Sequence, residues 1–211
     1  MKLALAVLAL CSITACGSTR EPPPPPTSVA PPPPTTTVPE PPSIPEARVP
    51  YDAALHGVTT ATAIRVTEGW MGLSHVGPLA HRYELVASGD DFVVNLTCHA
   101  GRQELAQPEQ TIPRASITPI LEQLVNVEIT AGTYVPRIQH TDDYPDLSME
   151  LESPAGMVAF TSRSQGDEGN PWQIAVGENS AIVEAPLPGR AMHAIDVLVG
   201  MSRCRDWVNT L

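Results

Sequence analysis

Residues 51–211 predict an α+β fold, an antiparallel sheet of hairpins with a mid-chain helix and a C-terminal helix packed on it. Three observations carry the prediction. Phe92, Val94, Leu96 and Cys98 alternate with Val93, Asn95 and Thr97, the period-two pattern of a strand with one buried face. Gly89-Asp90 separates this run from Arg82–Ser88 and marks a tight hairpin. Val197, Met201, Cys204 and Val208 fall at i, i+4, i+7 and i+11, a single stripe along a helix.

The remaining elements follow in order. Ala63–Thr67 reads as a short first strand, ahead of the hairpin. Residues 99–113 are polar and read as a loop. From Arg114 to Val127 the spacing of Ile117, Leu121, Leu124 and Val125 is helical. Pro119 fits best in a first turn, which places Thr118 as the N-cap. Leu147, Met149 and Leu151 alternate with Ser148, Glu150 and Glu152 as a half-buried strand. Pro154-Ala155-Gly156 turns the chain into a strand over Met157–Ser162. Trp172–Val176 and Ala181–Glu184 form a further hairpin around Glu178-Asn179. After Pro188-Gly189, one long helix runs to about Asn209. Both halves of the domain thus run strands then helix, without sequence identity between them.

Ahead of this domain, Met1-Lys2 is a minimal charged start and Leu3–Leu10 an apolar core of secretory-signal length. A bilayer span needs roughly 20 apolar residues, more than this run supplies. Ile13-Thr14-Ala15-Cys16 follows, and over residues 1 to about 17 the chain resembles the signal and lipobox of bacterial lipoproteins. Cys11 is the poorer match, because Leu10 before it is bulky. The resemblance implies a diacylglycerol thioether on Cys16 (lipidation), cleavage before it, and a membrane anchor through the acyl chains. Gly17 at the next position implies, in a Gram-negative cell, export to the outer membrane. Two or three chains hold stably at ~0.8 kcal/mol per buried CH₂. The expected organisation is a signal peptide over 1–15, a lipid-anchored Pro-rich disordered linker over 16–50, and the globular domain over 51–211. Residues 18–50 hold 14 of the 24 prolines, each removing a backbone donor. Such a stretch prefers polyproline II, reaching roughly 90 Å at about 3.1 Å per residue.

The domain carries nine Arg against 20 Asp and Glu, which argues against nucleic acid or an anionic lipid surface as a direct partner. Lys2 is the chain's single lysine, so the domain has no Schiff-base, Walker A or Ser-x-x-Lys lysine. With Cys16 acylated and Cys11 removed with the leader, Cys98 and Cys204 remain as an even pair in an oxidising compartment. A disulfide is the expected outcome; a metal pair or a reactive thiol are the competing readings. Neither cysteine lies in a Cys-x-x-Cys, and His99 points away from Cys98 across the strand.

His140, Asp142, Asp143 and Asp146 form the most site-like cluster, with oxygen ligands for a hard cation. The cluster lacks the glycine turn and alternating acids of a calcium loop, so a solvated acidic loop is the plain reading and no metal is expected. Ser162–Trp172 is a long polar loop in which Arg163 and Trp172 could act as anchors, or Trp172 could tuck inward. No Gly-x-Ser-x-Gly, His-Glu-x-x-His or glycine-rich phosphate loop occurs, and no motif implies a cofactor. The domain is similar to uncharacterised extracytoplasmic domains with paired hairpins and closing helices. The expected role is that of a lipid-anchored envelope lipoprotein, a non-enzymatic binding or interaction module. A wall polymer or an envelope protein is the expected partner. An envelope hydrolase without a recognisable motif is the alternative.

Overall fold

The computed structural model describes residues 44–70, 77–135, 145–163, 170–183 and 186–211. The expected signal peptide, Cys16, and nearly all of the expected linker lie outside these residues. Within them the fold is the expected α+β: ten antiparallel strands with helices on one face. No described helix is long and apolar enough to cross a membrane.

Helix α1 (Ile44–Gly57) starts inside the stretch read as linker, so residues 44–50 belong to the folded domain. Pro45 sits in the first turn, where its missing N–H has no intrahelical role. Pro50 removes one backbone bond, and tertiary contacts outweigh that loss. Tyr51, Ala54 and Leu55 are buried in the core. The Arg48 guanidinium donates to the carbonyls of Val125 and Val127 and to Asp52 Oδ1, closing the end of the next helix. Gly57 allows the close approach behind α1, because a Cβ there would lie 2.6 Å from that of Ala155.

Strands β1 (Ala63–Trp70), β2 (Leu79–Ser88), β3 (Asp91–Ala100) and β4 (Gln103–Ala106) make the first antiparallel meander. The two short strands β4 and β5 (Gln110–Pro113) both pair with β3, one at each of its ends. They occupy the stretch read as a loop; an edge ladder, rather than apolar patterning, holds them there. Helix α2 (Arg114–Val125) leads through β6 (Ile129–Thr130) to the second meander. That meander is β7 (Asp146–Ser153), β8 (Gly156–Ser162), β9 (Trp172–Val176) and β10 (Asn179–Val183). β1 and β7 pair at the centre, and each meander walks outward from there, giving the order β4-β3-β2-β1-β7-β8-β9-β10-β6. The similarity of the two halves is therefore one of topology.

Thr118 is not the N-cap of α2. The helix begins at Arg114, and the Thr118 hydroxyl donates to the Arg114 carbonyl at 3.1 Å from inside it. Pro119 is tolerated in the helix because Ile117, Leu121 and Leu124 are buried around it. The single C-terminal helix is two: α3 (Leu187–Val199) and α4 (Ser202–Val208). Gly200 takes φ +72°, and the amides of Gly200 and Met201 donate to the carbonyls of Val197 and Asp196. This is a Schellman stop, which a side chain bearing a Cβ would strain. The break rephases the stripe, so Val197 is 67 % exposed while Met201, Cys204 and Val208 are buried.

The inner face of the sheet is set by strand alternation. One row runs Ile174, Phe160, Met149, Val66, Tyr83, Leu96 across six strands, each residue opposite the next. All six are buried. The outer face is polar, with Arg65 paired to Glu84 and Glu152 at 2.7 and 3.1 Å. Cys98 and Cys204 stand at disulfide distance, Cα–Cα 5.3 Å, tying α4 onto β3.

Candidate functional site

The inner-face pattern changes character one row beyond Val66 and Tyr83. The next inward positions on β1 and β2 are Glu68 and His81, directly opposite each other in the register. They fall between Leu147 on β7 and Cys98 on β3. A carboxylate and an imidazole thus occupy positions where the alternation calls for apolar side chains.

This row floors a cleft of about 860 Å³ between the sheet and helices α3 and α4. Leu79, Leu147, Met192, Met201 and Val208 supply apolar walls. Trp70 meets His81 edge-on, ring centroids 5.4 Å apart. Asp196 enters from α3, one turn before the Gly200 stop, and accepts a hydrogen bond of 2.7 Å from the Tyr83 hydroxyl. Tyr83 is fully buried, so it aims Asp196 from beneath. Arg190, His193 and Arg205 line the cleft and are exposed, as its rim.

Electrostatically the floor is unbalanced. Glu68 makes no hydrogen bond or ion pair among the described residues. Burial raises its pKa to about 7, the Asp196 charge adds to the rise, and Arg205 opposes it. Burial likewise raises Asp196 to about 6, against the Tyr83 bond and His193. Burial raises Tyr83 well above its ordinary range, and Asp196 and Glu68 add to the rise, so the phenol stays a donor. Burial lowers His81 below its ordinary value, which keeps the imidazole neutral at pH 7. His81 is 6 % exposed, and its Nδ1 has no hydrogen-bond partner. A buried ring nitrogen and a half-buried carboxylate, each without a partner among the described residues, each cost free energy.

The residues singled out from sequence fall elsewhere. Cys16, His140, Asp142 and Asp143 lie outside the described residues. Asp146 opens β7 opposite Gly69, on the outer face, and pairs with Arg163 at 3.1 Å. Among the described residues no group of three His, Cys, Asp or Glu is placed to hold a metal. Trp172 is fully buried and presents nothing to solvent. His99 faces away from Cys98 and lies 3.6 Å from Glu104. Glu68, His81, Tyr83 and Asp196 were not picked out by any motif; the available signal was a polar residue in core phase on two adjacent strands.

The site belongs to a single antiparallel sheet roofed by helices on one face. No protein-family model, curated protein or solved structure matches the chain.

Proposed function

We propose that the protein is a lipid-anchored envelope lipoprotein whose domain is a non-enzymatic binding module, with the cleft over Glu68 and His81 as its ligand site. The observation that carries this reading is the orphaned polar floor in a cleft of small-molecule size. Ligand sites are concave, largely apolar, and oriented by a few convergent polar groups, and this cleft has that composition. The lipobox-like run ending at Cys16 and the proline-rich stretch after it support an extracytoplasmic location on a tether. The acidic balance supports partners other than nucleic acid.

A fragment screen on the full-length chain tests the site, read by nuclear magnetic resonance at the Trp70 indole and His81 ring. Hits are expected to shift these two signals first, and Trp70→Ala is expected to weaken them about fivefold, roughly 1 kcal/mol. Hits that cluster away from both residues, or no hits at all, reject it.

One observation favours an envelope hydrolase as the second reading. Glu68, held to about 7, has the protonation poise of a general acid or base at neutral pH. Turnover of ester, glycoside or peptide substrates that disappears in Glu68→Gln would establish that reading over the first.

A further inference from the structure

Resting on the cleft reading above, we propose that the ligand enters with a protonated amine, its ammonium group seated between Glu68, Asp196 and the His81 ring. The floor offers acceptors and negative charge rather than donors. Glu68 has no partner among the described residues, and Asp196 has only the Tyr83 hydroxyl on Oδ1. His81, more than nine-tenths buried, lines the same cleft, and its Nδ1 has no hydrogen-bond partner. An ammonium group brings three donors and one positive charge, matching the two carboxylates. No side chain of the domain can supply that group, because it contains no lysine. The Trp70 face beside the floor and the Met192 and Met201 walls suit the carbon body of the same ligand. A carboxylate or phosphate leading into this floor would instead meet two like charges.

The charged and titratable groups facing the floor are Glu68 from β1, His81 and Tyr83 from β2, Arg190, His193 and Asp196 from α3, and Arg205 from α4. His99 of β3 acts on His81 from farther off. The rim cations are exposed and screened by water and salt, whereas the half-buried floor carboxylates are screened less. Acidification neutralises the two carboxylates, and that change disfavours a bound cation.

The test compares phenethylammonium with 2-phenylethanol and 3-phenylpropionate, titrated into the full-length chain and read at the Trp70 indole. At about pH 7.5 the ammonium compound is expected to bind about tenfold more tightly than the alcohol, and the carboxylate more weakly than either. That advantage is expected to vanish in Glu68→Gln/Asp196→Asn, and to shrink about fivefold in the unaltered chain between about pH 7.5 and pH 5.5. The pH arm needs no variant, so a misfolded double variant would not spare the proposal. Equal binding of alcohol and ammonium, or an advantage that survives both substitution and acid, overturns the ammonium assignment and leaves the cleft standing. Failure of all three compounds to shift Trp70 overturns it together with the cleft reading.

Discussion

Replacing Cys98 and Cys204 together by alanine is expected to lower Tm by roughly 10–15 °C, measured by calorimetry without reductant. The two residues close a loop with a sequence separation of 106. In the chain-entropy model a loop of that size stabilises by up to ~4.7 kcal/mol, and in a domain of this length each kcal/mol moves Tm by about 2–4 °C. The bond also has a local role. α4 is short, follows the Gly200 break, and is held to β3 through Cys204. Because α4 supplies Ser202, Arg205 and Val208 to the cleft wall, the variant is expected to weaken ligand binding as well as stability. A shift below about 3 °C would show that α4 is held by packing of Met201 and Val208 without help from the cross-link.

Glu68→Gln is expected to stabilise the protein at alkaline pH and leave it unchanged in acid. The native pKa of Glu68 lies near 7 against an ordinary 4.5, and that of Asp196 near 6 against 3.8. The native state therefore binds more protons than the unfolded chain between those values. Their contribution is fully present below about pH 4 and is lost as pH rises through 6 to 7. His81 works in the opposite direction, since its lowered pKa makes the unfolded chain the better proton binder near its ordinary value. Two carboxyls outweigh one imidazole in this window. At about pH 8, removing the Glu68 charge should recover about 2–3 kcal/mol, or roughly 5–10 °C in Tm, after discount for partial exposure. At about pH 3.5, where the carboxyl is protonated in both the native and the unfolded chain and is isosteric with the amide, the two proteins should melt together. A variant destabilised equally at both values would mean that Glu68 makes an ordinary surface contribution.

How far the sequence reached depends on which signal each element carries. Period-two alternation locates β3 and β7 and sets the inward face of Cys98, and turn residues between them and their neighbours locate β2, β8, β9 and β10. Short edge strands such as β4 and β5 carry no alternation to read; the free backbone of β3 recruits them. Proline misleads in two places: Pro50 and Pro119 sit inside helices whose buried stripes outweigh one lost hydrogen bond each. Gly200 was under-weighted, and one left-handed residue divided the C-terminal helix and turned Val197 outward. The site was missed for a related reason. The sequence signals end the first strand at Thr67 and begin the second at Arg82, one residue short of Glu68 and of His81. Polar side chains at the end of a strand read as the end of the strand. Their inward phase, shared across a register pair, was the only mark that they faced a cleft. Asp196 carried no mark at all, since it reaches Tyr83 across 113 positions of sequence.

The cleft's chemistry rests on a half-buried carboxyl that makes no hydrogen bond or ion pair among the described residues. Carbon-detected titration of the Glu68 side chain in the full-length protein addresses this directly. A midpoint near 7 is expected. A midpoint at the ordinary value of 4.5 would mean that Glu68 is solvated, and would contradict the floor described here.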